Sequence, residues 1–257
     1  MKRRLFHATC LWMLSLTWMG SHAWAGLAET VLRVKPSVVL VGTFKTTESP
    51  RFQLRGAGFL VARGDLVVTN AHVLPADLDK PDAPTLVVQV RSGRGDWQMR
   101  SVTVLETDVL RDLTLLRMEG APGPVLRIGD SRRVREGDYL AFMGFPIGGS
   151  LGFSHVTHRA TVSTITSAAL PSPSAGRLKE QAIHGLRNGT FDIFQLDATA
   201  YPGNSGGPLF DPDTGEVMGV MNMVLIKNTR ESALSHPSGI AYAIPSRYVQ
   251  ALVDRHR

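Results

Sequence analysis

Short apolar runs rich in Val, Ile, Leu and Thr recur along this chain, each bounded by Gly, Pro, Asp or Asn, and their spacing narrows the available folds. They fall at 37–44, 56–62, 66–74, 85–90, 100–106 and 113–118, and again at 138–145, 158–166, 191–198, 216–224 and 240–245. Runs this short match strands, and no amphipathic helical pattern separates them, so the expected class is antiparallel all-β. Only the ends read as helical. Segment 27–37 has apolar residues at helical spacing and stops at Pro36, while 245–256 opens on Pro245 and puts Tyr248, Leu252 and Val253 on one face. A stretch rich in Pro and Gly, 119–138, parts the runs into two groups of about six. Two small barrels are therefore expected, over about 30–122 and about 123–250. The polar, Pro- and Ser-rich segment 167–190 reads as a surface loop.

Composition fits a folded soluble domain: 43% hydrophobic and 19% charged residues, with a mean hydropathy of zero. The first 25 residues stand apart. A basic start, "MKRR", precedes an apolar stretch from Leu11 to Met19, and Ala23 and Ala25 are small residues at the positions a signal peptidase inspects. Residues 1–25 are expected to be a signal peptide and Gly26 the mature N-terminus. The alternative, a retained anchor, needs an apolar span of about 20 residues, longer than this one. Either reading exports the domain at 26–257. Cys10 is the only cysteine. An exported domain without disulfides points to the bacterial periplasm or to secretion from a bacterium rather than to a disulfide-stapled scaffold. Removing Lys2, Arg3 and Arg4, with no acid in the first 25 residues, lowers the net charge from +6 to +3. No block of five like charges and no basic stripe with aromatics appears, which argues against nucleic acid or anionic lipid as the main partner.

The stretch "TAYPGNSGGPLF", 199–210, surrounds Ser205 with glycine and proline. A serine hydroxyl becomes a nucleophile only when a base takes its proton, and that base is usually a histidine oriented by a buried carboxylate. The developing oxyanion needs donors aimed at it. Gly203 permits a sharp turn that brings the N–H groups of Gly203 and Ser205 together, and Gly206 and Gly207 are expected to leave room for a substrate carbonyl. On its own, a loop serine flanked by glycines is more often a plain turn.

Three strings occur in the order His, Asp, Ser: "VVTNAHVL" around His72, "RDLTLLRM" around Asp112 and "GNSGGPL" around Ser205. In that order they resemble the trypsin-like serine proteases, and most closely the disulfide-free bacterial HtrA/Deg branch. "GAGFLV" (56–61), "FMGFPIG" (142–148) and "GIAYAIPS" (239–246) extend the resemblance over roughly 30–250. It implies two perpendicular six-stranded antiparallel β-barrels with the site in the cleft between them. It also implies roles: Ser205 nucleophile, His72 general base, Asp112 its orienting carboxylate, and the N–H groups of Gly203 and Ser205 as the oxyanion hole. Thr199, six before the nucleophile, would sit at the base of the primary pocket, with Tyr201 nearby. Met221, Asn222 and Met223 would lie on the strand that pairs with substrate backbone.

Thr114 and the pair Tyr201-Pro202 depart from the family pattern and are expected to alter the cleft wall. Members of the branch usually carry PDZ domains after the protease domain, and a chain ending at Arg257 is expected to lack them. Asp108 and Asp197 rival Asp112 as the carboxylate; Asp112 is preferred because it opens an apolar strand, and Asp197 is assigned to ordering the Ser205 loop. His155 and His158 sit in an apparent strand without a companion ligand cluster, so packing is expected rather than metal binding. The resulting expectation is an exported serine endopeptidase for unfolded or extended polypeptides, with no cofactor or metal. A peptide-binding chaperone on the same fold is the alternative, and an esterase is disfavoured because the serine lacks a Gly-Xaa-Ser-Xaa-Gly elbow.

Overall fold

The computed structural model describes residues 26–256 apart from 77, 79, 93–94, 147–151, 169–190 and 223–238. The expected signal segment, Met223 and most of the surface loop expected over 167–190 lie outside the described residues.

The apolar runs become strands. β1 (Val38–Phe44), β2 (Phe52–Val61), β3 (Leu66–Thr69), β4 (Thr85–Arg91), β5 (Trp97–Asp108) and β6 (Leu113–Met118) close a barrel in the order β1-β2-β3-β6-β5-β4. β7 (Tyr139–Gly144), β8 (Val156–Ala168), β9 (Phe191–Asp197), β10 (Pro208–Phe210), β11 (Val217–Asn222) and β12 (Ile240–Pro245) close a second in the order β10-β11-β12-β9-β8-β7. Every pairing is antiparallel. Register shifts at Val41/Gly42, Val104/Glu106, Val162/Thr164 and Leu209/Phe210 supply the local bending and twist that closure requires. β10 is three residues long and opens on a proline, too short to carry a periodic signature of its own. The run expected over 66–74 ends as a strand at Thr69, and a 3-10 turn covers Ala71–Val73.

The principal hydrophobic cluster draws on both barrels. Leu40, Phe59, Leu113 and Leu115 from the first pack with Met143, Phe145, Phe210 and Ile244 from the second. Val34 of α1 (Leu27–Val34) and Val249, Leu252 and Val253 of α2 (Ser246–Asp254) complete it. At roughly 1.5–3 kcal/mol for each fully buried large apolar side chain, this shared cluster joins the barrels as firmly as the core of either one.

The helices add polar ties. Thr30 and Arg33 of α1 donate to the Asp213 carbonyl, in the turn after β10, at 3.2 and 3.0 Å. Just past α2, Arg255 Nη2 reaches Glu106 of β5 at 2.6 Å. α1 is thus tied to the second barrel and the residues just past α2 to the first.

His155 sits where the barrels meet. Its ring stacks on Trp97 (centroids 5.3 Å apart) and lies 4.6 Å from Phe145, and Nε2 donates to the Val38 carbonyl at 2.9 Å. Burial holds its pKa down at about 4; the Val38 contact opposes this, and Lys35 and Arg91 reinforce it. Folded His155 is therefore neutral where an unfolded histidine would titrate near 6.5. Its stabilising contribution is complete above about pH 6.5 and is lost as pH falls toward 4. Urea midpoints of the wild type and of His155→Phe, compared at pH 7 and pH 4.5, are expected to converge at the lower pH. A gap that stays constant would contradict the burial argument.

Candidate active site

β6 begins at Leu113, and the residue before it, Asp112, has φ +52°, the left-handed region that Asp tolerates better than most side chains. Bonds on several sides hold it there. Its carbonyl accepts from Ala71 N at 3.1 Å and from Asn70 Nδ2 at 2.9 Å. Its carboxylate accepts from His72 N at 2.8 Å through Oδ1, while Oδ2 lies 2.5 Å from His72 Nδ1 and 2.7 Å from Asn222 Nδ2. Hydrogen bonds to an ionised group contribute roughly 1.5–3 kcal/mol each, enough together to offset an αL backbone. With Nδ1 occupied by the carboxylate, Nε2 is the ring nitrogen left to exchange a proton with a substrate or nucleophile.

His72 rides on the 3-10 turn that follows β3. Arg55 on β2 secures that turn, its Nε donating to the Val73 carbonyl at 2.6 Å and Nη2 to that of Leu74 at 3.3 Å.

Ser205 comes from the other barrel and is 5% exposed. Its carbonyl accepts from Ala57 N of β2 at 2.8 Å, which fastens the serine loop to the barrel that carries His72. The same Ala57 accepts from Thr69 Oγ1, three residues before His72, at 2.8 Å. On the other side Gly206 N donates to the Met221 carbonyl at 3.0 Å, next to the asparagine that holds Asp112. The loop is therefore pinned between β2, in the barrel that carries His72, and β11, which carries the asparagine bonded to Asp112. Among the described residues no hydrogen bond joins Ser205 Oγ to His72, and in a substrate-free site such a bond is commonly long. The N–H groups of Gly203 and Ser205 likewise have no acceptor among the described residues. Gly203 has φ +103° and lies so close to the Phe145 carbonyl that a Cβ would stand 2.1 Å from it.

Several expectations change. Gly206 and Gly207 were expected to clear space for substrate, but the protein's own backbone fills that space. A Cβ at Gly206 (φ +81°) would lie 2.2 Å from Ala57 O, and one at Gly207 2.1 Å from Met143 O. Met221 is not on the cleft wall: its side chain is fully buried in the second barrel's core, and its N–H and carbonyl are taken by Gly207 and Gly206. Asn222 is buried too, and its side chain holds the aspartate. Thr114 is fully buried and bonded to Thr107 at 3.1 Å, so it does not shape the cleft. Asp108 is engaged by Arg111 at 2.7 Å, and Asp197 is exposed at the end of β9. Thr199 and Tyr201 are half-buried ahead of the serine, with the Tyr201 ring 6.4 Å from that of His158. His158 stacks on Phe142 at 4.7 Å, and burial lowers its pKa. Among the described residues no group of three or more His, Cys, Asp or Glu comes together as a metal site would require.

The residues missed from sequence are Asn222 in its supporting role and Arg55. Asn222 lies far from the three strings around His72, Asp112 and Ser205, and Arg55 lies just before "GAGFLV" with nothing local to mark it; the pairing of β11 with β12 and the course of β2 bring them to the site. Asn222→Leu removes one donor from Asp112 without changing volume much. It is expected to lower turnover of a peptide substrate about ten- to a hundredfold with the melting temperature little altered. Unchanged kinetics would exclude the asparagine from orienting the carboxylate.

Comparison with known proteins supplies the lineage. Residues 56–220, more than half of the chain, match the family described as trypsin-like peptidase domain. The mitochondrial serine protease HTRA2 of Drosophila pseudoobscura pseudoobscura is 32% identical over 200 residues, covering 78% of this chain and 38% of that protein. HTRA2 of Drosophila willistoni gives the same values. The chain thus spans well under half the length of these relatives. Among solved structures, an HtrA-type protease, AlgW, with a tripeptide superimposes with a TM-score of 0.62 at 22% identity, covering 90% of this chain and 63% of that one. With two closed six-stranded barrels and a match over most of both, the chain belongs to the trypsin-like peptidase family and is similar to its HtrA members.

Proposed function

We propose that this protein is an exported serine endopeptidase that cleaves unfolded or extended polypeptides through an acyl-enzyme. The observation that carries the reading is the Asp112 carboxylate bonded at once to the backbone and the ring of His72 and to Asn222, with the Ser205 loop pinned alongside. In this mechanism His72 takes the proton of Ser205 as the hydroxyl attacks the scissile carbonyl, and Asp112 stabilises the imidazolium that results. The N–H groups of Gly203 and Ser205 receive the oxyanion. His72 then returns the proton to the leaving amine, and water releases the acyl group by the same path in reverse. The residues supply every proton transfer themselves.

For specificity, Thr199 at the proposed pocket base carries no charge, which gives no reason to prefer Lys or Arg at the cleaved position. A small or medium aliphatic residue is the proposed preference, with Tyr201 on the wall. The basic and apolar character of residues 1–25 supports export, to the bacterial periplasm or outside, and protein quality control there is the proposed role. No helix among the described residues is long and apolar enough to cross a membrane. The competing reading, a peptide-binding chaperone, would be favoured by the loss of a triad group, and His72, Asp112 and Ser205 are all present.

The test is to incubate residues 26–257 with a fluorophosphonate probe and with a peptide library. Ser205→Ala is expected to abolish labelling and cleavage while melting like the wild type, and Asp112→Asn to slow turnover by about 10⁴-fold. Cleavage after small aliphatic residues is expected. Library peptides bound but never cut by the wild type would favour the chaperone reading, and equal labelling of Ser205→Ala would overturn the nucleophile.

A further inference from the structure

The turn that delivers Asp112 into β6 is secured from a side that the triad does not use. Within the turn the support is slight: Asp112 N reaches the Val109 carbonyl only at 3.4 Å, and Val109 is 70% exposed. The residue between them and the second barrel is Arg111. Its backbone N donates to Asp108 Oδ1 at 3.1 Å and its Nη1 to Asp108 Oδ2 at 2.7 Å. Its guanidinium lies over the ring of Tyr248 on α2, 4.7 Å from the centroid, and 5.9 Å from the ring of Phe191 at the start of β9. Arg111 Nε is buried without a hydrogen-bond partner, so the group is held by Asp108 and by its cation–π contact with the rings.

The surface it stacks on is itself fixed. Tyr248 and Phe191 meet edge to face at 5.8 Å. The Tyr248 hydroxyl accepts from Asp192 N at 3.1 Å and from Arg247 Nη2 at 3.0 Å. Arg247 pairs with the Asp192 carboxylate, and its backbone N donates to Ser131 Oγ at 3.0 Å. A cation from the first barrel thus rests on an aromatic pair anchored to the second.

We infer that Arg111 is a positioning residue: stacked on Tyr248 and Phe191 and paired with Asp108, it holds the 108–112 turn so that Asp112 keeps its left-handed backbone and its carboxylate on His72. The inference rests on the reading of Asp112 as the triad carboxylate. A non-glycine residue at φ +52° persists only where its surroundings over-determine it. The bonds from Ala71, Asn70, His72 and Asn222 hold the carbonyl and carboxylate of Asp112 itself, and Arg111 adds a hold on the preceding residues of the turn through Asp108 and the rings of the second barrel. Lysine would keep the charge but lose the planar face and one arm of the fork, so it is expected to serve only in part.

The test uses residues 26–257 carrying Arg111→Met, Arg111→Lys or Tyr248→Leu, with Asp112→Asn as reference. Three quantities are read: kcat and KM on a peptide substrate, the rate of fluorophosphonate labelling, and the low-field Nδ1 proton resonance of His72. Arg111→Met is expected to lower kcat and the labelling rate about ten- to a hundredfold with KM nearly constant, and to broaden or abolish the resonance. Arg111→Lys should fall between it and the wild type. Tyr248→Leu should act in the same direction, and the double variant Arg111→Met/Tyr248→Leu should lose little beyond the deeper single one, as coupled residues do. Full kcat and an intact resonance in Arg111→Met, with Asp112→Asn inactive, would overturn this inference alone. Full activity of Asp112→Asn would instead overturn the triad reading beneath it. Should Arg111→Met fail to fold, Arg111→Lys and Tyr248→Leu decide by the same readouts.

Discussion

The bond from Ala57 N to the Ser205 carbonyl, 2.8 Å long, ties one barrel's backbone directly to the other's. A site assembled from two barrels cannot be more precise than the seam between them, and side chains meeting across a seam would leave it loose by their rotamer freedom. A backbone contact removes that freedom. It demands a residue without a side chain at the point of approach, which is why Gly206 follows Ser205: any Cβ there would strike Ala57 O or Thr69 Oγ1. The shared hydrophobic cluster of Leu40, Phe59, Met143, Phe145 and Ile244 then holds the two backbones at that distance.

Against this fixed seam, Asp112 carries the strain. Its αL conformation sets the carboxylate against the His72 turn just before the chain enters β6, so a single residue both leads into a strand and orients an imidazole. One carboxylate then does several things: Oδ1 caps the His72 backbone, and Oδ2 is shared by the imidazole and Asn222. A carboxylate with these donors cannot rotate without losing all of them, and preorganisation of this kind is what electrostatic catalysis requires.

The fold was largely legible because strand patterning is local: apolar runs bounded by breakers became strands within a few residues of their expected ends. β10 escaped because three residues beginning with Pro208 have no period. At the site, the order of three strings and their resemblance to a family single out His72, Asp112 and Ser205, and the structure brings His72 and Asp112 into direct contact. Met221 and Asn222 could not be separated by sequence, since neighbours on a strand face opposite sides and only the barrel decides which side is core. The structure sends Met221 into the core and Asn222 to the aspartate. The glycines after Ser205 were misjudged for a related reason: bareness reads the same whether the space admits a substrate or another strand.

The terminal helices bear on the same precision. α1 is bonded to the Asp213 turn of the second barrel, and the chain just past α2 to Glu106 of the first, so each end of the domain resists separation of the barrels. α2 goes further, because Tyr248 presents its ring to the residue adjoining Asp112 while Leu252 and Val253 sit in the shared core. Packing of one helix is thereby linked to the direction of one carboxylate. In such an arrangement packing and site geometry are not independent: the Arg111 contact is partly exposed and the core contacts of α2 are not, so on the proposed role of Arg111 a loosening of α2 is expected to reach the Asp112 turn before it unfolds the barrels.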